Sequence, residues 1–105
     1  MANKADTEQL EKSLQSGDTQ VLDVRDEEDF SQAHIRHENA TVLNVYYKKF
    51  AFQPVEKLMD EFSKEEPVYV VCWEGDSSKK IAELLRKKGF DARNIEGGME
   101  SWNSL

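Results

Sequence analysis

The run Val68-Tyr69-Val70-Val71, introduced by Pro67 and followed by a helical stripe, restricts this chain's fold more than any other feature. A β-branched apolar run opened by proline reads as a strand. The stripe Ile81, Ala82, Leu84 and Leu85 reads as one face of a helix, with Arg86, Lys87 and Lys88 suited to its C-terminal dipole and Gly89 ending it. The unit is therefore strand, loop, helix, and the pattern recurs. Asp6 or Thr7 caps a first helix, Asp6 and Gln9 have capping-box spacing, Leu10 and Leu14 share a face, and Gly17 stops it. Strands are expected at 21–24, 41–45 and 92–95. Between the first two, the acidic residues Asp26, Glu27, Glu28 and Asp29 suit the start of a short helix carrying Phe30 and Ala33. Residues 46–66 read as helical, with Phe50, Leu58, Met59 and Phe62 on the apolar face and Pro54 near a helix start. Gly97-Gly98 reads as a turn, and Met99 with Trp102 as the inner face of a last helix. Strands alternating with helices imply an α/β fold, a parallel sheet covered on both faces.

In such sheets the reactive loops lie at the carboxyl ends of the strands. Cys72, the only cysteine, ends the 68–71 strand and opens Trp73-Glu74-Gly75-Asp76-Ser77-Ser78, which leads into the helix. Loop N–H groups and a helix N-terminus set a positive potential around such a sulfur, as a nucleophilic cysteine requires. A buried, inert cysteine at the strand end is the competing reading, since free cysteine is among the most buried residue types. Both readings stand on this ground alone.

At 105 residues the chain is expected to form one domain, 1–105, with a single core. The 21 acidic residues outnumber the 14 basic ones, for a net charge of −7. That balance argues against nucleic acid and anionic membrane as partners. No apolar run reaches the length of a membrane span of ~18 residues. The start Met1-Ala2-Asn3-Lys4-Ala5-Asp6 lacks the layout of a secretory signal. One cysteine makes no internal disulfide, so a cytoplasmic location is expected.

Several cysteine chemistries fail on the residues. A thioredoxin-type enzyme needs a second cysteine. A cysteine protease needs a histidine base, and His34 and His37 lie in a polar turn between other strands. A Cys-x5-Arg phosphatase needs arginine at position 78 to clamp phosphate, and that position is Ser78; the same lack argues against binding arsenate or phosphate. His34 and His37 stand at i, i+3 without a third ligand nearby, so neither metal nor cofactor is expected. What remains is a loop rich in N–H donors that suits a charged sulfur adduct, Cys–S–S⁻.

Four segments together carry a resemblance: Cys72-x-x-Gly75-x-Ser77-Ser78-Lys79, Leu22-Asp23-Val24-Arg25, Glu28-Asp29-Phe30…Ala33-His34-Ile35, and Gly97-Gly98-Met99-x-x-Trp102. In this order and spacing the chain resembles a rhodanese domain, specifically the small single-domain bacterial thiosulfate sulfurtransferases. The resemblance implies a five-stranded parallel sheet flanked by helices on both faces. It also implies ping-pong transfer: Cys72 takes the outer sulfur of thiosulfate or a thiol persulfide, and passes it to cyanide or a thiol, with a thioredoxin-like protein among the candidate acceptors. The amides of Trp73, Glu74, Gly75, Asp76, Ser77 and Ser78 take the place of the persulfide cradle. Asp23, Arg25 and His34 take the place of framework residues tying loops together. The competing class is a non-catalytic rhodanese module that carries sulfur or binds a partner.

Two departures stand out. Relatives often bring basic residues to the loop, whereas this one has Glu74 and Asp76. At roughly 8 Å in water each carboxylate opposes a unit negative charge by about 0.5 kcal/mol, comparable to the ~0.3–1 kcal/mol of a helix terminus. Weak thiosulfate affinity is therefore expected. Arg36-His37 also stands where Pro-Gly often follows the His-Ile pair. Lys79, in the helix's first turn, is either a donor-recruiting cation or a solvated side chain. Trp73 is either packed on a neighbouring helix or exposed for docking. Tyr46, Tyr47, Phe50 and Phe52 are expected mostly in the core, with one or two lining the pocket.

Overall fold

Alternation along the central strand gives two apolar cores, one on each face of a sheet, in place of the single core expected from the chain length. A computed structural model describes residues 4–104; Met1, Ala2 and Asn3, read above for a signal, lie outside the described residues. The elements are β1 (Lys4–Ala5), α1 (Thr7–Ser16), β2 (Thr19–Asp23), α2 (Glu27–Gln32), β3 (Ala40–Asn44), a 3-10 helix (Tyr47–Ala51), α3 (Val55–Leu58), β4 (Pro67–Val71), α4 (Asp76–Lys87), β5 (Asp91–Ile95) and α5 (Gly98–Trp102). The five strands form one sheet in the order β1-β5-β4-β2-β3, and every neighbouring pair is parallel. Because strand side chains alternate faces, Val68, Val70 and Cys72 join Leu22, Ala92 and the α4 residues Ile81, Ala82 and Leu85. Tyr69 and Val71 join Val21, Ile95, the α1 residues Leu10 and Leu14, and Met99 of α5. The thiol thus belongs to the α4 face by parity.

Local chemistry sets several boundaries. Asp6 accepts the Gln9 N–H at 2.8 Å while Gln9 Oε1 accepts the Asp6 N–H at 2.9 Å, closing the expected capping box of α1. Asp26 caps α2 by accepting the Asp29 N–H at 2.8 Å. At the Arg36-His37 departure, His37 builds the turn itself: its carbonyl accepts the Ala40 N–H and its Nδ1 the Asn39 N–H, each at 3.0 Å.

Two readings need correction. Residues 46–66 are not one helical stretch but the 3-10 helix and the single turn of α3, with turns and bends between. Pro54, as N-cap of α3, restarts the chain after the 3-10 turn, since proline cannot donate and biases its predecessor away from helix. Of the four aromatic residues Tyr46, Tyr47, Phe50 and Phe52, only Phe50 packs against the core. Phe52 is 85% exposed and Tyr47 36%, Tyr46 is half-buried, and the two tyrosines line a cavity as expected. Phe62, further along, is buried in the core. The break leaves Val55, Met59 and Phe62 to fill the core from this segment.

Candidate active site

The loop after β4 is held from below by α5. The N–H groups of Met99 and Glu100 donate to the carbonyls of Cys72 and Trp73 at 2.7 and 3.0 Å. In a trans peptide the N–H points opposite to the C=O, so the amides of Trp73 and Glu74 face away from α5. This close approach needs a glycine. A Cβ on Gly98, whose φ is +51°, would lie 2.3 Å from the Cys72 carbonyl oxygen.

Above that support, the Gly75 N–H donates to Cys72 Sγ at 3.0 Å, and the Ser78 hydroxyl lies 3.2 Å from it. Gly75 caps α4 with φ +109°, so the turn that brings its N–H to the sulfur also begins the helix. Cys72 is 6% exposed yet lines a cavity of about 280 Å³ with Tyr46, Tyr47, Trp73 and Ser77. The residue is buried and at the same time part of the cavity wall.

Asp26, Asp29, Glu74 and Asp76 also line this cavity. Arg25 lines it too, but its charge is matched by Asp23: Nε and Nη2 grip the carboxylate at 2.8–3.2 Å, and both side chains are buried. Arg25 Nη2 further donates to the Ala33 carbonyl at 2.6 Å, fastening the end of α2. Arg25 Nη1 is buried without a hydrogen-bond partner. The Trp73 ring covers the guanidinium at 4.8 Å, offering its negative face. Trp73 also donates from Nε1 to Asp29 at 3.0 Å while staying 44% exposed. It is thus both pinned to α2 and open to solvent.

His34 stacks on Phe30 at 4.1 Å and its Nδ1 lies 2.8 Å from the Phe30 carbonyl, closing the end of α2; it is not among the residues lining the cavity. Lys79 is exposed on the first turn of α4 and is not among the cavity residues. Two residues the sequence reading missed complete the arrangement. Asn44 donates to the carbonyls of Asp23 and Arg25 at 3.0 and 2.9 Å. Asn94 donates to the Gly75 carbonyl at 3.1 Å and accepts from the Ser78 hydroxyl. Asn94 was findable: two residues past Ala92, it shares the α4 face, where an amide requires a partner.

A parallel α/β sheet with a lone thiol in a loop at a strand's carboxyl end, directly before a helix, defines a class of cysteine-loop α/β domains. Within that class the chain belongs to the rhodanese family: the pattern described as Rhodanese-like domain matches residues 6–105. It is 35% identical over 97 residues to the thiosulfate sulfurtransferase GlpE of Glaesserella parasuis serovar 5, covering 90% of this chain and 81% of that protein. The GlpE protein of Coxiella burnetii is 31% identical over 88 residues, covering 83% and 74%. Among solved structures, a rhodanese-like domain protein from Staphylococcus aureus superposes with a TM-score of 0.77 at 32% identity, covering 97% of this chain and 91% of that one.

Proposed function

We propose that this protein is a sulfurtransferase in which Cys72 carries the sulfur. The Cys72 thiolate attacks the outer sulfur of the donor, and the donor's inner S–S bond breaks with its electron pair leaving on sulfite or on a thiolate. The enzyme then holds Cys–S–S⁻. An acceptor thiolate or cyanide attacks the outer sulfur, and the electron pair of the broken bond returns to Cys72 Sγ. The observation that carries this reading is the thiol on the wall of a cavity, with the Gly75 N–H directed at its sulfur. The sulfurtransferase relatives support it at the level of the family.

The acidic cavity wall bears on the donor. Thiosulfate is a dianion and meets Asp26, Asp29, Glu74 and Asp76, so a thiol persulfide, with less charge to place there, is the better donor. The same wall favours a second reading, a module that binds a partner without efficient thiosulfate turnover. Intact-mass measurement after mixing with thiosulfate, polysulfide or a thiol persulfide separates the two. The expected result is a gain of one sulfur atom at Cys72, removed by cyanide. No adduct with any donor leaves only the binding module.

A further inference from the structure

Position 78, where a cysteine phosphatase would carry its arginine, holds a serine that touches the sulfur. Ser78 is fully buried in the first turn of α4. Its hydroxyl lies between Cys72 Sγ, at 3.2 Å, and the Oδ1 of Asn94. Asn94 in turn donates from Nδ2 to the Gly75 carbonyl, and the Gly75 N–H donates to Sγ. The four residues close a ring of hydrogen bonds, all of them buried.

The ring's polarity follows from donor counting. The Gly75 carbonyl only accepts, so the Asn94 atom facing it must be the NH₂, and the atom facing Ser78 must be the carbonyl oxygen. A hydroxyl has one proton. When Ser78 gives it to Asn94, only a lone pair remains for the sulfur. That arrangement suits a thiol, whose S–H then donates to Ser78 Oγ. It opposes a thiolate, which would face a lone pair at close range. The opposite rotamer suits a thiolate and leaves Asn94 Oδ1 without its donor.

We propose that the Ser78 hydroxyl is a two-position donor in the sulfur-transfer reaction, and that Asn94 is the positioning residue that competes with Cys72 for its proton. In the thiol state Ser78 donates to Asn94. When Cys72 ionises to attack the donor, its proton passes to solvent, and the hydroxyl turns to Sγ and donates there. It does so again when the acceptor attacks the outer sulfur, because the electron pair of the breaking S–S bond arrives on Sγ. The proton stays on Ser78 Oγ throughout; only its hydrogen-bond partner changes. Asn94 keeps the hydroxyl occupied while no anion is present.

This inference rests on the sulfurtransferase reading, but its test does not. The rate of Cys72 alkylation by iodoacetamide, followed by intact mass across pH, reports the ionised sulfur without any sulfur donor. Ser78→Ala removes the switching donor, and the alkylation profile is expected to move to higher pH by about one unit, the scale of one hydrogen bond to a charged group. Asn94→Ala releases the Ser78 proton to the sulfur, and the profile is expected to move to lower pH. Opposite directions are the signature, since general loosening of the loop would move both variants alike. An unmoved profile in Ser78→Ala, or two shifts of the same sign, overturns the proposal. Should Ser78→Ala fail to fold, Asn94→Ala decides alone: a shift to higher pH, or none, overturns it. Wild-type protein that alkylates but never gains sulfur defeats the functional reading instead.

Discussion

Gly98 holds the active loop in place because it has no side chain. With φ at +51° and the Cys72 carbonyl so near that an added Cβ would stand 2.3 Å away, any larger residue must push the loop or unwind the first turn of α5. Gly98→Ala is expected to cost more than ~1 kcal/mol of stability, from the left-handed backbone together with the clash. It should also slow persulfide formation by on the order of tenfold or more, since displacing the loop moves the sulfur and its Gly75 donor apart. Denaturant unfolding and single-turnover mass measurements check the two effects. A folded variant with wild-type persulfide rate would mean that the α5 contact does not position the thiol. The Asp23–Arg25 pair acts differently. Its buried charges fasten β2 to the end of α2 through the Ala33 carbonyl, and removing either partner would strand the other in the interior.

Among the elements, α1 shows how a local signal becomes a tertiary anchor. Its capping box fixes where the helix begins, and Leu10 and Leu14 then fall on the core of the sheet's α1/α5 face, both essentially fully buried. The preceding pair Lys4 and Ala5 is thereby laid beside Asn94 and Ile95 as the edge strand β1. Asp6→Ala removes the oxygen that accepts the Gln9 N–H, and is expected to cost about 1 kcal/mol by chemical denaturation. The Asp6 carboxylate bonds within its own helix start, whereas Cys72 Sγ is held by Gly75 and Ser78, so alkylation of Cys72 should keep its wild-type rate in the folded variant. A two-residue strand carries no periodicity, which is why the residues alone revealed four strands and the fifth rested on resemblance. The 46–66 segment failed for the opposite reason. It has enough apolar residues for a helix but not at one sustained spacing, and Pro54 interrupts it.

At the scale of the whole molecule, the net charge of −7 and the four carboxylates around the cavity act in the same direction on an anionic donor. Added salt screens this repulsion over a Debye length of about 10 Å at 0.1 M. The kcat/KM for thiosulfate is therefore expected to rise with ionic strength in the wild type. Glu74→Lys should raise it at low salt by a few-fold and flatten the salt dependence, because it replaces an exposed negative charge beside the loop with a positive one. Identical salt curves for the two proteins would mean that the Glu74 carboxylate does not act on the incoming donor. Uncharged or less charged donors should respond weakly in both.

Alternation of strands with helices, the capping signals and the placement of one thiol after a strand are all local properties. The chain expressed them in its own order of residues, and the parallel α/β frame with Cys72 at a strand's carboxyl end followed. What touches that sulfur was another matter. Ser78 reaches it because α4 starts at Gly75, and Asn94 reaches Ser78 because β5 lies beside β4 with Val70 opposite Asn94. Pairing register and helix placement join residues 16 positions apart into one buried ring. No spacing rule along the chain contains that contact, since it is made by packing and by the need of each buried polar atom for a partner.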